Sequence, residues 1–146
     1  MMKKGLVPIF LVVLSSLFNA CDLDDDSPNF HFTTLNVVAA SFPEVFQVNR
    51  TYDIEVTYLR PDGCTFFEGF EVTKTGDTDR EVVAIGTVLT DENTACTQAI
   101  EEVTAIFKFN VIFTGEYHFR FYGGQDENND SIYLEYTVPV EEAPTN

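Results

Sequence analysis

Three oxygen-bearing side chains alternate in the stretch DENND, in the order Asp126, Asn128 and Asp130. Carboxylate and amide oxygens at every second position are the ligand pattern of the first half of a calcium-binding loop. An EF-hand would also need Gly at its sixth position and Glu at its twelfth, where this chain has Ser131 and Thr137. The sequence therefore predicts a solvated turn without a metal, and weak calcium binding by these three residues is the alternative.

Signatures of catalysis are missing from the sequence. There is no G-x-S-x-G nucleophile motif and no glycine-rich phosphate loop. Acidic residues are so numerous that an adjacent pair such as Glu101 and Glu102 does not single out a general acid and a general base. We therefore expect a protein that is not an enzyme and that holds no cofactor.

The chain is strongly acidic, with a formal net charge of -16 over 146 residues. A negative field of this size repels nucleic acid and anionic lipid headgroups, so we expect no nucleic-acid partner. The simplest interpretation is a charged coat that keeps an exposed domain soluble. Attraction of cations or of basic partners is the alternative.

Residues 1–20 have the features of a secretory signal peptide. Two lysines are followed by an apolar run over residues 6–14, and the segment ends on Ala20. The run is well short of the roughly 20 apolar residues that a membrane-spanning helix needs. We therefore predict that residues 1–20 are removed during export.

The residue directly after this segment is a cysteine, Cys21. The stretch LSSLFNAC resembles the lipobox of bacterial lipoproteins, in a relaxed form found in Bacteroidota, with Phe18 where Leu is usual. The resemblance implies that the Cys21 thiol is acylated and becomes the mature N-terminus. Three acyl chains, at about 0.8 kcal/mol per buried methylene, would hold the protein stably on a membrane. An ordinary soluble secreted protein is the alternative.

An acidic run, DLDDDS, follows Cys21. It resembles the surface-export signal that follows the lipidated cysteine in many Bacteroidota lipoproteins. This resemblance implies a lipid-anchored outer-membrane protein that faces the outside of the cell, and a periplasm-facing protein is the alternative. A solvated linker explains the same run, so residues 21–29 are predicted to form an acidic tether in either case.

Acylation of Cys21 would leave an even pair of cysteines, Cys64 and Cys96. In an exported protein such a pair is expected to form a disulfide. The closed loop of about 33 residues would stabilise the fold by roughly 3.7 kcal/mol in the chain-entropy model. The alternative is a reactive or metal-binding pair. It would want a further ligand, but His31 and His118 stand alone on what we predict to be solvated strand faces.

Apolar and polar residues alternate repeatedly along residues 30–140. The predicted strands are TYDIEVTYLR, VTAIFKFNVIF, YHFRFYG, HFTTLNVVAA, SIYLEYTVPV, the less regular CTFFEGFEVTK, and REVVAIGTVL, which is apolar on both sides as a central strand would be. Turn residues separate them, and Gly69 is expected to mark either a bulge or a close approach of another backbone. About seven short strands predict an all-β fold, an immunoglobulin-like antiparallel β-sandwich over residues 30–140, followed by an acidic tail at 141–146. A small antiparallel barrel is the alternative.

The segment GEYHFRFYGG, with the loop and strand after it, resembles the last hairpin of immunoglobulin-like modules, including chagasin-type cysteine-protease inhibitors. The NPTTG-like and RPW motifs of those inhibitors are missing from this chain, so the resemblance implies a fold and not inhibition. Over its whole length the chain is similar to small β-domain lipoproteins of Bacteroidota that carry no assigned function. That likeness implies a location and a fold class.

These observations favour a membrane-anchored, surface-exposed lipoprotein that acts as a non-enzymatic binding or accessory module through loop tips or a sheet edge. It would contact the membrane through the lipid at Cys21 and bind an extracellular protein or glycan. One alternative is an inhibitor or chaperone-like partner of an envelope enzyme. Another is a glycan-binding module with Phe66, Phe67 and Tyr122 as its aromatic residues, although core packing also explains the phenylalanines.

Overall fold

The computed structural model describes residues 29–91 and 93–142, and its strands span Phe30 to Glu141. In chain order the strands are β1 (Phe30–Leu35), β2 (Val37–Ser41), β3 (Phe46–Gln47), β4 (Thr51–Arg60), β5 (Thr65–Lys74), β6 (Asp79–Leu89), β7 (Glu101–Asn110), β8 (Tyr117–Gln125), β9 (Ser131–Val138) and β10 (Val140–Glu141). The described residues contain no helix of the length and apolarity needed to cross a membrane.

The strands form two main sheets. In the first, β6 pairs with β5 along one edge and with β1 and β8 along the other, and β9 pairs with β8. The second sheet has the order β2-β4-β7, and β3 pairs with β10 in a short two-stranded sheet. The predicted all-β sandwich is confirmed, and the described strands do not close into a barrel. Two pairings, β6–β8 and β3–β10, are parallel; the other pairings are antiparallel, as predicted.

The N-terminal segment belongs to both sheets. The sequence predicted HFTTLNVVAA as one strand, whereas the structure divides it at Asn36. Leu35 lies opposite Ala84 of β6, and Val37 lies opposite Tyr58 of β4. The segment therefore crosses from the first sheet to the second within two residues.

A glycine permits this crossing. Gly124 in β8 has a φ of 110°, and a Cβ there would lie 2.7 Å from the side-chain nitrogen of Asn36. Both the backbone conformation and the close approach exclude larger residues, so Gly124 is what lets β8 pass beside the crossing.

The core lies between the two main sheets and is largely aromatic. Phe119 is fully buried, and its ring centroid lies 4.8 Å from that of Phe42 and 4.9 Å from that of Phe109. The apolar faces of the three most regular alternating segments supply much of this core: Ile54, Val56, Tyr58, Phe107, Phe109, Val111, Tyr117, Phe119 and Phe121. Alternation in the sequence thus identified the inward side of β4, β7 and β8.

Cys64 and Cys96 form the predicted disulfide, with their Cα atoms 5.3 Å apart. Cys64 directly precedes β5, and Cys96 lies in the loop between β6 and β7. A backbone hydrogen bond from Gly63 N to Thr97 O, at 3.0 Å, joins the same two segments. The disulfide therefore holds the β6–β7 loop against the turn between β4 and β5.

Candidate binding surface

The outer face of the first sheet carries large apolar side chains that the core does not use. Thr87 of β6 pairs with Phe32 of β1 on one side and with Phe66 of β5 on the other. Directly paired residues point to the same side of a sheet, so the two rings flank Thr87. Phe32 is 68% exposed and Phe66 is 45% exposed. Phe30 and Leu89 form the next pair along, and we call these five residues the aromatic face.

Strand alternation explains why these side chains point outward. Ala84 of β6 and Leu35 of β1 are buried in the core, and side chains two residues apart share a side of the strand. Thr87 and Leu89 are an odd number of residues from Ala84, and Phe32 is an odd number from Leu35. All three therefore lie on the solvent side.

A bulge in β5 places Phe66 on the same side. The ladder between β5 and β6 shifts between Phe67 and Gly69, where the sequence predicted a bulge. The extra residue reverses the alternation, so that Phe67 and Phe70 both contact the core while Phe66 remains outside. Without the bulge, Phe66 and Phe70 would share a side of the strand.

The Thr87 hydroxyl at the centre of the aromatic face already forms a hydrogen bond within the chain. Thr87 is 8% exposed, and its hydroxyl donates a hydrogen bond to Glu68 Oε1 at 2.7 Å. Glu71 and Glu81 point to the same outer side, further along β5 and β6. A ligand would therefore meet an apolar centre with an acidic border.

Arg120 lies on the same side of the sheet, beside the acidic border. Its Nη1 is 3.6 Å from Glu81 Oε2, and its Nε is 3.6 Å from Glu135 Oε1. Its guanidinium carbon lies 4.1 Å from the ring centroid of Tyr133. Arg120 thus partly offsets the charge of Glu81, while Glu68 and Glu71 are left as the acidic residues nearer the aromatic face.

The outer face of the second sheet is more polar. The hydroxyls of Thr57 and Thr104 lie 3.0 Å apart, and Lys108 Nζ lies 2.7 Å from Asp53 Oδ1. Ile106 of β7, at 49% exposed, stands among these polar pairs. The aromatic face is therefore the better surface for an apolar ligand.

The three aromatic residues predicted for glycan binding do not come together. Phe66 belongs to the aromatic face. Phe67 stacks on Tyr58 inside the sandwich, with 5.1 Å between ring centroids, and half-buried Tyr122 contacts Tyr133 at 6.1 Å. The structure thus brings one of the three into the candidate surface.

The sequence patterns did not identify Phe30, Phe32 and Leu89 as candidate binding residues. In FHFTTL, Phe30 and Phe32 lie on one side of the strand and Leu35 lies on the other. Strand β1 therefore has apolar residues on both sides. Local alternation cannot choose the buried side of such a strand. The available signal was that a two-layer sandwich covers only one side of each sheet, so one of the two apolar sides had to remain exposed.

Asp126, Asn128 and Asp130 lie in the hairpin loop between β8 and β9. Asp126 Oδ1 accepts hydrogen bonds from the backbone nitrogens of Asn128 at 2.8 Å and Asp130 at 3.0 Å. The bond from Asp130, followed by that from Asn128, holds the pKa of Asp126 below its usual range. This carboxylate caps its own turn. Within the described ranges, no group of three or more His, Cys, Asp or Glu is placed to hold a metal ion.

The remaining titratable candidates are scattered. His31 is exposed, and His118 is exposed with its Nε2 3.8 Å from Glu116 Oε1. Glu101 forms an ion pair with Arg60. These contacts are ordinary surface pairs, and they do not converge on one site.

A shallow groove of about 180 Å³ lies near the crossing between the sheets. It is lined by Thr34, Leu35, Asn36, Leu59, Pro61 and Ile100. These residues include one hydroxyl and no acid, histidine or cysteine, so the groove offers no general acid or base.

The predicted lipidation site, Cys21, lies outside the described residues, as do the signal peptide at 1–20 and nearly all of the tether. Asn29, the first described residue, directly precedes Phe30 of the aromatic face. The predicted tether therefore leads straight into the candidate surface.

Comparison with known families gave one match. The sequence model of the ORF11 beta-sandwich domain matches residues 53–140, more than half of the chain. The matched range includes Phe66, Thr87 and Leu89 of the aromatic face, whereas Phe30 and Phe32 precede it. No curated protein and no solved structure matches the chain.

Proposed function

The chain belongs to the ORF11 beta-sandwich domain family, and on that fold we propose a membrane-anchored, non-enzymatic binding module whose aromatic face docks a protein partner. One observation carries the proposal: Phe32 and Phe66 flank Thr87 on the solvent side of the sheet, 68% and 45% exposed. Neither ring contributes to the sandwich core.

The size of the apolar contribution supports docking. Burying a phenylalanine side chain is worth about 1.5–3 kcal/mol relative to leaving it exposed. Two or three such rings on the strands either side of β6 supply the compact apolar centre that protein interfaces use, and acidic residues lie beside that centre. A flat sheet face suits a flat partner surface.

The border indicates the chemistry of the partner. Glu68 contacts Thr87, Glu71 and Glu81 lie further along β5 and β6 on the same side, and the whole chain has a net charge of -16. The best complement is a protein surface with an apolar patch framed by Lys or Arg. An inhibitor or chaperone-like partner of an envelope enzyme is a special case of this proposal, because it too docks a protein.

A glycan ligand fits the aromatic face less well. The rings of Phe30 and Phe32 meet at 88°, with 5.8 Å between centroids, so they do not form one flat stacking platform. Sugar hydroxyls also need hydrogen-bond partners, and the Thr87 hydroxyl already donates to Glu68. We therefore prefer a protein partner.

The proposed location is the outer membrane, with a lipid anchor at Cys21 and the domain facing outward. The support is the resemblance of LSSLFNAC to the Bacteroidota lipobox and of DLDDDS to a surface-export signal. Phe30 is nine positions after Cys21, a distance of at most about 30 Å at about 3.3 Å per residue. The aromatic face would thus be held near the membrane surface.

Replacing the anchoring thiol tests the location. In a Bacteroidota-type host, the native chain is expected to show the mass of a protein cleaved before Cys21 and carrying acyl chains. It should also be digested by protease added to whole cells. Cys21→Ala is expected to lose the acyl mass and the membrane association. An unacylated native chain would contradict the anchor, and an acylated chain protected on whole cells would contradict the outward orientation.

Site-specific photo-crosslinking tests the binding surface. A photoreactive residue placed at position 32 is expected to give one discrete adduct of protein size on intact cells. A second substitution, Phe66→Ser, is expected to reduce that adduct at least about tenfold, because it removes one of the two central rings.

Ile132→Ser is the matched control, since Ile132 is also 45% exposed but lies in β9. It should leave the adduct unchanged. If the crosslinking variant is present at normal abundance and gives no protein adduct, docking at the aromatic face is contradicted. The same holds if Ile132→Ser reduces the adduct as much as Phe66→Ser does.

A further inference from the structure

Strand β7 is an edge of the second sheet, and within the described part of the chain it pairs with β4 alone. It pairs with β4 over ten consecutive residues, from Glu101 to Asn110, without any shift of register. The ladders of three other edge strands, β2, β5 and β9, each contain a shift, and β1 is six residues long. Shifts and shortness are devices that blunt an edge. Among the described strands, β7 is thus the long regular edge without such protection.

The backbone groups that face this edge can be identified. Val111 N donates to Arg50 O at 2.9 Å, and Val111 O accepts from Asn49 N at 2.7 Å. Val111 therefore points both backbone groups toward β4. Because this direction alternates along an antiparallel ladder, the even-numbered residues of β7 point theirs toward the open edge.

The even-numbered side chains are all exposed, and they carry opposite charges at the two ends. In order they are Glu102, Thr104, Ile106, Lys108 and Asn110. Ile106 lies in the middle of this set and is 49% exposed. When two such strands run antiparallel, the acid of each strand can lie opposite the lysine of the other. The strand is therefore complementary to a second copy of itself.

We propose that β7 pairs antiparallel with β7 of a second copy of this chain, around a two-fold axis at Ala105. In that register Glu102 lies opposite Lys108 of the second copy, and Thr104 lies opposite Ile106. Symmetry repeats each pair, so the interface contains two ion pairs and two contacts between Thr and Ile. Four pairs of edge-facing residues give about eight backbone hydrogen bonds.

The charges select this register. Shifting the axis by one residue in either direction places Lys108 opposite Thr104 or a residue beyond the strand, and the ion pairs are lost. In the proposed register Lys108 lies between Asp53 of its own chain, at 2.7 Å, and Glu102 of the second copy. The second copy is therefore the occupant that the charge pattern fits.

The dimer leaves the aromatic face free, because that face lies on the other main sheet. Two copies joined through β7 form one continuous six-stranded sheet from two copies of β2-β4-β7. The proposal does not depend on the anchor or on the partner of the aromatic face. It adds a second interaction surface to the molecule.

Charge reversal tests both the dimer and its register. The oligomeric state of the full-length chain, after processing by the expressing cells, is measured by sedimentation over a concentration series. We expect dimers for the native chain, and dissociation constants raised at least about tenfold for Glu102→Lys alone and Lys108→Glu alone. Each variant opposes like charges in its own dimer. An equimolar mixture of the two variants restores opposite charges and is expected to dimerise again.

Two controls separate pairing from folding. Asp53→Asn removes the ion pair within the chain and should leave the dimer intact, and all variants should unfold within a few degrees of the native chain. Thr104→Pro removes one edge-facing N–H and should weaken the dimer; it keeps the backbone hydrogen bonds to β4 and loses the hydroxyl contact with Thr57. A native chain that stays monomeric, single reversals that leave the dimer unchanged, or a mixture that fails to recover would each overturn the proposal.

Discussion

Phe119→Ala is expected to lower the free energy of unfolding by about 4 kcal/mol. Phe119 is fully buried, and its ring lies within 6.5 Å of six others, so the cavity would be surrounded by rings that cannot collapse without losing their own contacts. For a domain of this size the loss corresponds to a fall in melting temperature of about 15 °C, measured by thermal unfolding with circular dichroism.

The surface supplies a control of the same chemistry. Phe32→Ala deletes the same atoms from a ring that is 68% exposed. It is expected to change the free energy of unfolding by at most about 0.5 kcal/mol. If the two substitutions had similar effects, the assignment of Phe119 to the core and Phe32 to the solvent side would be wrong.

Removal of the disulfide is the second large effect. The double substitution Cys64→Ala and Cys96→Ala is expected to lower the free energy of unfolding by roughly 3.7 kcal/mol, because the unfolded chain gains the freedom of a loop of about 33 residues. The folded chain would also hold the β6–β7 loop less tightly, although the bond from Gly63 N to Thr97 O remains. Urea unfolding with and without reductant measures the change.

Reductant provides the internal control for this prediction. The native chain should approach the stability of the double variant when reduced, and the double variant should not respond to reductant at all. A native chain whose unfolding midpoint is the same in both conditions would contradict a stabilising Cys64–Cys96 bond.

The sequence predicted local features of the fold well. Phe107, Phe109 and Val111 alternate with polar residues, and the inward side of β7 follows from that pattern alone. The bulge at Gly69 was likewise visible, because glycine within a strand marks such sites. Both features depend on neighbours in the chain, which the sequence states directly.

Pairing between distant strands could not be predicted in the same way. The parallel contact of β6 with β8 and the division of HFTTLNVVAA at Asn36 depend on which strands meet in space. Alternation identifies the two sides of a strand but not its partner, since any strand of suitable length can satisfy the same hydrogen bonds.

The candidate surface shows the same limit. The aromatic residues were expected to pack the core, and Phe67 does so against Tyr58. Phe66 faces solvent because the bulge reverses the alternation after it, and Phe32 because Leu35 occupies the buried side of β1. In both strands, two apolar sides compete for burial in the core. The sequence shows both sides but not which of them is buried.

The crossing at Asn36 also determines how the domain responds to tension. Force applied from the N-terminal end reaches the six residue pairs of β1 with β6 first, and it reaches the ladder of β2 with β4 only after β1 has been released. The two ladders are thus loaded in series, one in each sheet. The N-terminal segment would join the domain to its anchor, and it also connects the two sheets. Under a steady pull we expect it to detach in two steps, β1 from β6 first and β2 from β4 second.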